Sequence, residues 1–364
     1  MAMNFGSLFG QSSAPLIGLD ISTSAVRLVE LSDAGKGALR LERYAFEPLP
    51  RGAVVDGNIE NMEQVADAVR RVWKKSGTRI KLVALGMPPA SVITKKIVLP
   101  AYLSDDQLEV QVESEASQYI PFALDEVSLD FDVLGIAANS PDDIDVMLAA
   151  ARKEKVEDRV AIAEAAGLSA VVMDIESYAA RAALERVTEA STGAPLKDGQ
   201  QPIIALFQIG AQATHISVME GANTLFEREQ PFGGNQLTQD IVRAYGLSFE
   251  DAEAKKKAGD LPENYQAELL TPFLEGAALE ITRAIQFFYT STPYTHIDQL
   301  FLAGGCAAIP GLTDIIARRT KIASAVVAPF HGMQLGPGVR EAQLRSEAPA
   351  YLVACGLALR RFGT

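Results

Sequence analysis

Two stretches of this chain, "LIGLDISTSAVRLVEL" (residues 16–31) and "IIALFQIGAQATHISVMEG" (203–221), share one outline. Each is an apolar run suited to a buried strand, then a tight turn, then a second β-branched run. Aligning Asp20 with Gln208 sets Ile21 on Ile209, Ser22 on Gly210 and Thr23 on Ala211, and the run after Val26 on the run after Thr214. Each copy opens one half of the protein. An internal duplication of a strand-turn-strand unit is the economical account, and it restricts the chain to folds built from two similar halves.

The rest of the pattern agrees with an α/β class, because strand-like and helical runs alternate almost throughout. With 364 residues, 48% of them hydrophobic, the chain can bury the cores of two ordinary domains. In "VVDGNIENMEQVADAVRRVWKKSG" a loop leads into a helix with Val65, Ala68, Val69 and Val72 on one face and Gly77 after it. Ser104 and Gln107 form a capping box for a helix in which Leu108, Val112, Ala116 and Ile120 fall four apart before Pro121. Residues 144–150, 153–167 and 168–175 read as strand, helix and strand, which predicts a right-handed crossover joining parallel strands of one sheet. "TEASTGAPLKDGQQP" is the best boundary, giving domain I at 1–197, with an insertion at about 90–150, and domain II at 198–364.

Composition removes several functions. No apolar span reaches the roughly 20 residues of a membrane helix, and "MAMNFGSLFGQSSAP" lacks the charged and apolar regions of a secretory signal. A net charge of −13, with 33 basic residues scattered among 46 acidic ones, argues against nucleic acid, which needs a concentrated basic footprint. His215, His296 and His331 lie far apart, and neither Cys306 nor Cys355 has a ligand-spaced neighbour, so no zinc site is expected. Two embedded cysteines suit a reducing compartment.

The chemistry concentrates at the turns. A hairpin turn presents N–H groups to polyphosphate, and an acid at the strand end, here Asp20, holds Mg²⁺ directly or through water. The competing reading is an ordinary hairpin whose Ser22, Thr23 and Ser24 cap their own turn. A third segment, "IDQLFLAGGCAAIPGL", runs a buried strand into Gly304-Gly305, where backbone comes close to a ligand and aims N–H groups at it.

With these three segments the sequence resembles the actin-like ATPase superfamily and, within it, the PilM family of cytoplasmic type IV pilus assembly proteins, relatives of FtsA. Stretches with the stamp of that family lie between the general motifs: "VITKKIVLP", "ESEASQYIPFALDEVSLDFDVL", "RAIQFFYTSTPYTHIDQLFLAGG" and the closing "YLVACGLALR". The resemblance implies an α/β actin-like ATPase fold, two duplicated βα domains flanking a nucleotide cleft, with an FtsA-like inserted subdomain.

It also implies ATP and Mg²⁺ as ligands. Asp20 matches the acid that holds hydrated Mg²⁺; Ser22, Thr23, Ser24 and Gly210 match phosphate turns; Arg27 stands where relatives are often basic. Gly233 and Gly234 match a second phosphate-near pair. Glu253 and Lys256 match a helix that looks toward ribose and adenine, although with Lys255 and Lys257 they also read as a solvated face. Gly304, Gly305 and Ile309 match the adenosine loop. Gln208 departs from the pattern, since relatives carry an acid there; an amide neither attracts Mg²⁺ nor accepts a proton from water, so slow or absent hydrolysis is expected. Asp174 and Glu176 are candidates for orienting water or metal, or caps of a helix N-terminus.

The implied partner is the short cytoplasmic N-terminal peptide of PilN, received beside the insertion, where Tyr119, Ile120 and Phe122 are possible anchors. Other pilus components, including assembly ATPases, are possible further partners. The implied location is cytoplasmic, peripheral to the inner membrane through that partner. The alternatives are a sugar-kinase-like phosphotransferase, an FtsA-like filament protein with an amphipathic tail, and a scaffold that never binds nucleotide.

Overall fold

The computed structural model describes residues 14–137, 140–192, 201–221 and 223–363. They form two compact units: residues up to 183 with 333–339 and 353–364, and residues 184–332 with 340–352. The sequence boundary at 197/198 lies outside the described residues. The division after 183, and the return of the last residues to the first unit, differ from the simple two-block partition expected. The cause is the C-terminal helix, which supplies core to the first half.

In the first unit, β1 (Ile17–Ile21), β2 (Ala25–Gly35), β3 (Ala38–Pro48), a small hairpin of β4 (Val54–Val55) and β5 (Asn58–Ile59), α1 (Met62–Ser76) and β6 (Leu82–Met87) follow in order. Asp56 and Gly57 turn the small hairpin with φ of 48° and 76°, the positive pair a two-residue type I′ turn requires. The amphipathic reading of α1 holds: Val65, Ala68, Val69 and Val72 are buried and Gly77 closes the helix in the left-handed conformation. Burial of each such valine contributes about 1.5–3 kcal/mol before entropy is counted.

Next comes the insertion: β7 (Val92–Pro100), α2 (Asp105–Tyr119), β8 (Val127–Ile136) and β9 (Asp143–Arg152). Its strands form a separate antiparallel sheet in the order β7-β9-β8. The Ser104–Gln107 capping box is present, and Leu108, Val112, Ala116 and Ile120 pack on that sheet. The chain then returns through α3 (Lys153–Ala165) and β10 (Ser169–Ile175) to α4 (Glu176–Thr192). The expected crossover within one sheet is therefore corrected: β9 pairs only inside the insertion, while β10 pairs in parallel with β6 of the main sheet. A strand-helix-strand pattern marks a change of sheet as readily as a crossover.

The second unit holds β11 (Ile203–Ile209), β12 (Thr214–Glu220), β13 (Asn223–Gln230), α5 (Asn235–Tyr245), α6 (Phe249–Ala258), α7 (Thr271–Ser291), β14 (Gln299–Ala303), α8 (Leu312–Thr320) and β15 (Ala323–Val326). Short β16 (Gln334–Leu335) joins the first sheet, α9 (Glu341–Glu347) belongs to the second unit, and α10 (Leu352–Leu359) enters the first at Val353. The sheet orders are β10-β6-β1-β2-β3-β16 and β13-β12-β11-β14-β15. Five strands of the first map onto five of the second with the same directions. The duplication read from the sequence is thus a duplication of sheet topology. Its register is as aligned, with Ile21 opposite Val26 and Ile209 opposite Thr214.

Helix α10 packs so closely on β1 and α4 that only glycine fits at two places. A Cβ on Gly18 would lie 2.1 Å from the Ala354 carbonyl oxygen, and one on Gly356 1.7 Å from that of Ala179. Residues Leu352, Ala354, Cys355, Leu357, Ala358 and Leu359 are buried, so this segment has no apolar face to offer a membrane. Among the described residues no helix is long and apolar enough to cross one.

Candidate nucleotide half-sites

The first turn is a charged assembly. Asp20 is the penultimate residue of β1 and stands directly opposite Arg27 of β2, which brings both side chains to one face. Arg27 donates to Ser22 Oγ at 3.0 Å and to Asp20 Oδ2 at 3.5 Å, while Ser22 Oγ donates to the Ala25 carbonyl at 2.9 Å. Ser22 therefore does cap its own turn, as the plainer reading held. Thr23 and Ser24 occupy the half-buried tip.

Asp20 itself is buried, and desolvation pushes its carboxyl above the usual range against the pull of Arg27 and Arg159. Arg159, from α3, was not singled out by sequence reasoning, because one arginine among the charges of "KEKVEDRV" reads as a solvated helix face. It is almost wholly buried and donates to the Gly57 carbonyl at 3.1 Å. Glu176, Asp20 and Asp158 supply the negative field around its guanidinium. Glu176 fills the space over Gly86, where a Cβ would come within 2.7 Å of its Cγ.

Asp174, two residues earlier, has a different occupation. Its two oxygens take Arg360 Nε at 2.5 Å and Nη2 at 2.7 Å, and Oδ1 also accepts the Ile175 N–H. Both partners are buried. The sequence placed Asp174 with the water- or metal-orienting acids; its contacts instead make it the lock on the C-terminal segment, and Glu176 is the acid that shares a field with Asp20. No local signal links positions 174 and 360, so the pair was invisible in the sequence.

The second turn is a packed assembly. Gln208 holds the place of Asp20, and His215 that of Arg27, but His215 turns to Glu227 at 2.8 Å. Gly234 N–H donates to the Gly210 carbonyl at 3.0 Å, Asn235 N–H to that of Ala211 at 2.8 Å, and Cys306 Sγ to that of Gly210 at 3.5 Å. Thr214 Oγ1 ties the strand to the Phe232 carbonyl at 2.7 Å. A Cβ on Gly233 would lie 2.5 Å from the Ala211 oxygen, on Gly234 2.6 Å from Cys306 Sγ, and on Gly304, where φ is +89°, 2.4 Å from the Ile209 oxygen. These glycines let three loops pack against one another. Burial pushes the Cys306 thiol up to about 11, which keeps it a neutral packing group.

The adenosine loop is thereby sorted. Gly304 is a packing position and its N–H goes to the Pro349 carbonyl at 2.9 Å, whereas Gly305 is exposed with open space where a Cβ would stand. The helix that follows the paired glycines, α8, begins after Gly311, and Ile309 packs on the core of the unit. On α6, Glu253 and Lys256 are ion-paired to each other. The Lys256 ammonium also donates to buried Thr238 Oγ1 at 2.6 Å, and that hydroxyl meets the Glu253 carboxylate. Burial pushes the Glu253 carboxyl up, but Lys256 and the Thr238 contact outweigh it and hold it below the usual range. They are a braced pair, not loose surface charges; Lys255 does face outward, to Asp260.

Among the described residues there is no group of three or more His, Cys, Asp or Glu able to hold a metal alone. Asp20 offers one carboxylate, a donor set that fits Mg²⁺ arriving with phosphate and keeping most of its waters.

A duplicated five-strand sheet with a tight turn at each central hairpin defines the actin-like ATPase fold. The same fold appears in the ethanolamine utilization protein EutJ from Carboxydothermus hydrogenoformans, at TM-score 0.54 and 17% identity over 94% of this chain and 89% of that one. Within that class the chain belongs to the family described as type IV pilus assembly protein PilM, which matches residues 18–362. It is 27% identical to a chain of the PilM-PilN type IV pilus biogenesis complex, at TM-score 0.77, covering 96% of this chain and 99% of that one. Cell division protein FtsA of Bacillus subtilis (strain 168) is 22% identical over 349 residues, 85% of this chain and 78% of that protein.

Proposed function

We propose that this chain is a nucleotide-binding adaptor of the type IV pilus assembly platform, and that it binds the N-terminal cytoplasmic peptide of a PilN-like membrane protein. The observation that carries the reading is the similarity along nearly the whole chain to the protein of the PilM-PilN complex. Membrane association through that partner follows from the same reading. The end of α2 and the loop after it offer the anchors: Tyr119 and Phe122 are exposed, with Lys95 over one ring at 4.9 Å and Arg152 over the other at 5.3 Å. Ile120, offered by the sequence as a third anchor, is buried in the core of the insertion and is withdrawn.

The nucleotide is ATP with Mg²⁺ in this proposal. In the first unit Asp20 would hold the hydrated cation, the turn at 22–24 and Arg27 would meet phosphate, and Glu176 would orient water. Nucleotide acts by favouring one arrangement of the protein, and only by as much as its affinities for the arrangements differ. The test is a calorimetric titration with a synthetic PilN-like tail peptide in Mg-ATP. One-to-one saturable binding, lost in Tyr119→Ala with Phe122→Ala, is expected; a folded, nucleotide-loaded protein that ignores the peptide would sink the adaptor reading.

A further inference from the structure

Residues 68–104 contain no acid, in a chain whose net charge is −13. The first part of that stretch, "AVRRVWKKSGTRIK" (68–81), is the second half of α1 and the loop before β6, and it holds Arg70, Arg71, Lys74, Lys75, Arg79 and Lys81. The total charge hides a local one of opposite sign. Basic residues in the last turn of a helix answer its dipole, which accounts for Lys74 and Lys75. Arg79 and Lys81 lie beyond the helix and need another reason.

The loop that carries them is fixed. Gly77 turns the chain in the left-handed conformation, Trp73 Nε1 donates to the Ile80 carbonyl at 2.9 Å, and Thr78 Oγ1 accepts the Ile80 N–H at 3.1 Å. The loop is thereby folded back on the end of α1 that carries Lys74. Some of the neighbouring charge is already answered: Arg71 and Lys75 share Glu47, and Arg70 pairs with Asp67. Lys74, Arg79 and Lys81 are exposed and have no ion-pair partner among the described residues. At physiological salt the Debye length is about 8 Å, so acids elsewhere on the chain do not cancel this cluster for a surface that touches it.

Position matters as well. β1 runs into the Asp20 turn and β6 is parallel to it, so residues 79–81, which lead into β6, stand at the opposite end of the sheet. A surface resting there leaves the Asp20 turn open. The adaptor reading brings the chain to the cytoplasmic face of a membrane, whose anionic lipids favour each nearby lysine or arginine by about fivefold in partitioning. Nucleic acid is the poorer match, because the one aromatic of the cluster, Trp73, is half-buried with its N–H already taken and offers no stacking platform.

We propose that the end of α1 and the loop at 77–81 are a docking surface for the anionic lipid headgroups of a membrane, with Lys74, Arg79 and Lys81 as its contacts. The membrane as occupant rests on the adaptor reading; the contact itself is made by this chain and needs neither peptide nor nucleotide.

The experiment is co-sedimentation of the full chain, without peptide, with vesicles of phosphatidylcholine alone or mixed with phosphatidylglycerol, at about 0.05 M and about 0.5 M NaCl. Wild type is expected to bind the mixed vesicles at low salt and to lose about tenfold or more on neutral vesicles or at high salt. Lys74→Glu with Arg79→Glu and Lys81→Glu should lose about a hundredfold. Arg243→Glu with Arg340→Glu and Arg345→Glu, the same change of net charge at exposed positions elsewhere, should bind as wild type. Thermal unfolding of both triple variants checks that they fold. Equal losses for the two triples would mean that net charge and not this surface governs binding, and would overturn the proposal. So would wild type that ignores anionic vesicles, or that binds duplex DNA through these residues and vesicles not at all. Peptide binding without vesicle binding strikes only this surface, and vesicle binding without peptide binding strikes only the adaptor reading.

Discussion

Asp20 faces Arg27 across β1 and β2, and Gln208 faces His215 at the same register across β11 and β12. The backbone is one unit used twice; the side chains have separated. The first copy keeps charge, with Arg27 on a buried carboxylate that also feels the field of Arg159. The second has no acid at the strand end and spends its turn carbonyls on the N–H groups of Gly234 and Asn235, under glycines that admit no Cβ. Duplication conserves geometry, while the side chains of the two copies take different partners: one turn gathers charge, and the other packs its loops under glycines.

The largest effect that sharpens this contrast concerns the acid lock of the first unit. Arg360→Ala strands a buried Asp174 carboxylate and should cost about 3–5 kcal/mol in denaturant unfolding. Asp174→Asn should also destabilise, while the folded fraction binds nucleotide as before. An Asp174→Asn protein of wild-type stability that has lost nucleotide affinity would restore Asp174 to the site. Next in size is Gly304→Ala, where a Cβ would meet the Ile209 backbone and φ is positive; about 2–4 kcal/mol is expected. Ser22→Ala in the other turn should cost about 1 kcal/mol. Equal costs for the two would erase the distinction between a packed turn and a charged one.

Sequence reading went furthest where the signal was periodic or local. Helix α1, the Ser104 box and the Ile21/Ile209 register all follow from spacing within a few residues. It went least far where chemistry is made by distant positions. Arg159 comes within the field of Asp20 only because α3 returns from the insertion to the main sheet, and Arg360 meets Asp174 across 186 positions. Glycines were legible as special, but a second reason was not: Gly233, Gly234 and Gly304 read as approaches to a ligand, and each also lets one loop approach another.

A prediction of intermediate size tests whether charge alone separates the turns. Gln208→Asp puts an acid at the second strand end, as Asp20 stands at the first, and ATP turnover should rise by roughly tenfold or more over wild type. A wild-type protein that already matches the variant would mean that the amide at the second turn does not limit turnover, and the contrast would lose its functional meaning.

The smallest effect is also the most discriminating, because the acids of the two units are displaced in opposite senses. Glu253 is held below its usual 4.5 in the folded protein, so it contributes stability that is present above that value and lost as pH falls through the folded pKa. With its side chain 25% exposed the contribution is about 0.5–1 kcal/mol. Glu253→Gln should therefore be less stable than wild type at pH 7, and the gap should close as pH falls below 4.5 and through the lowered folded pKa. Asp20 is pushed up by burial, and the sign reverses: its ionisation costs stability at neutral pH, and that cost disappears as pH falls below the unfolded value of 3.8. Asp20→Asn should be more stable than wild type at pH 7 and equal to it in acid, the behaviour of a group kept for function at the expense of the fold. Unfolding curves of the three proteins between pH 3 and 8 decide the matter. If both variants lose stability at neutral pH, Asp20 is a structural ion-pair partner of Arg27, and the first turn is not the charged, poised member of the pair.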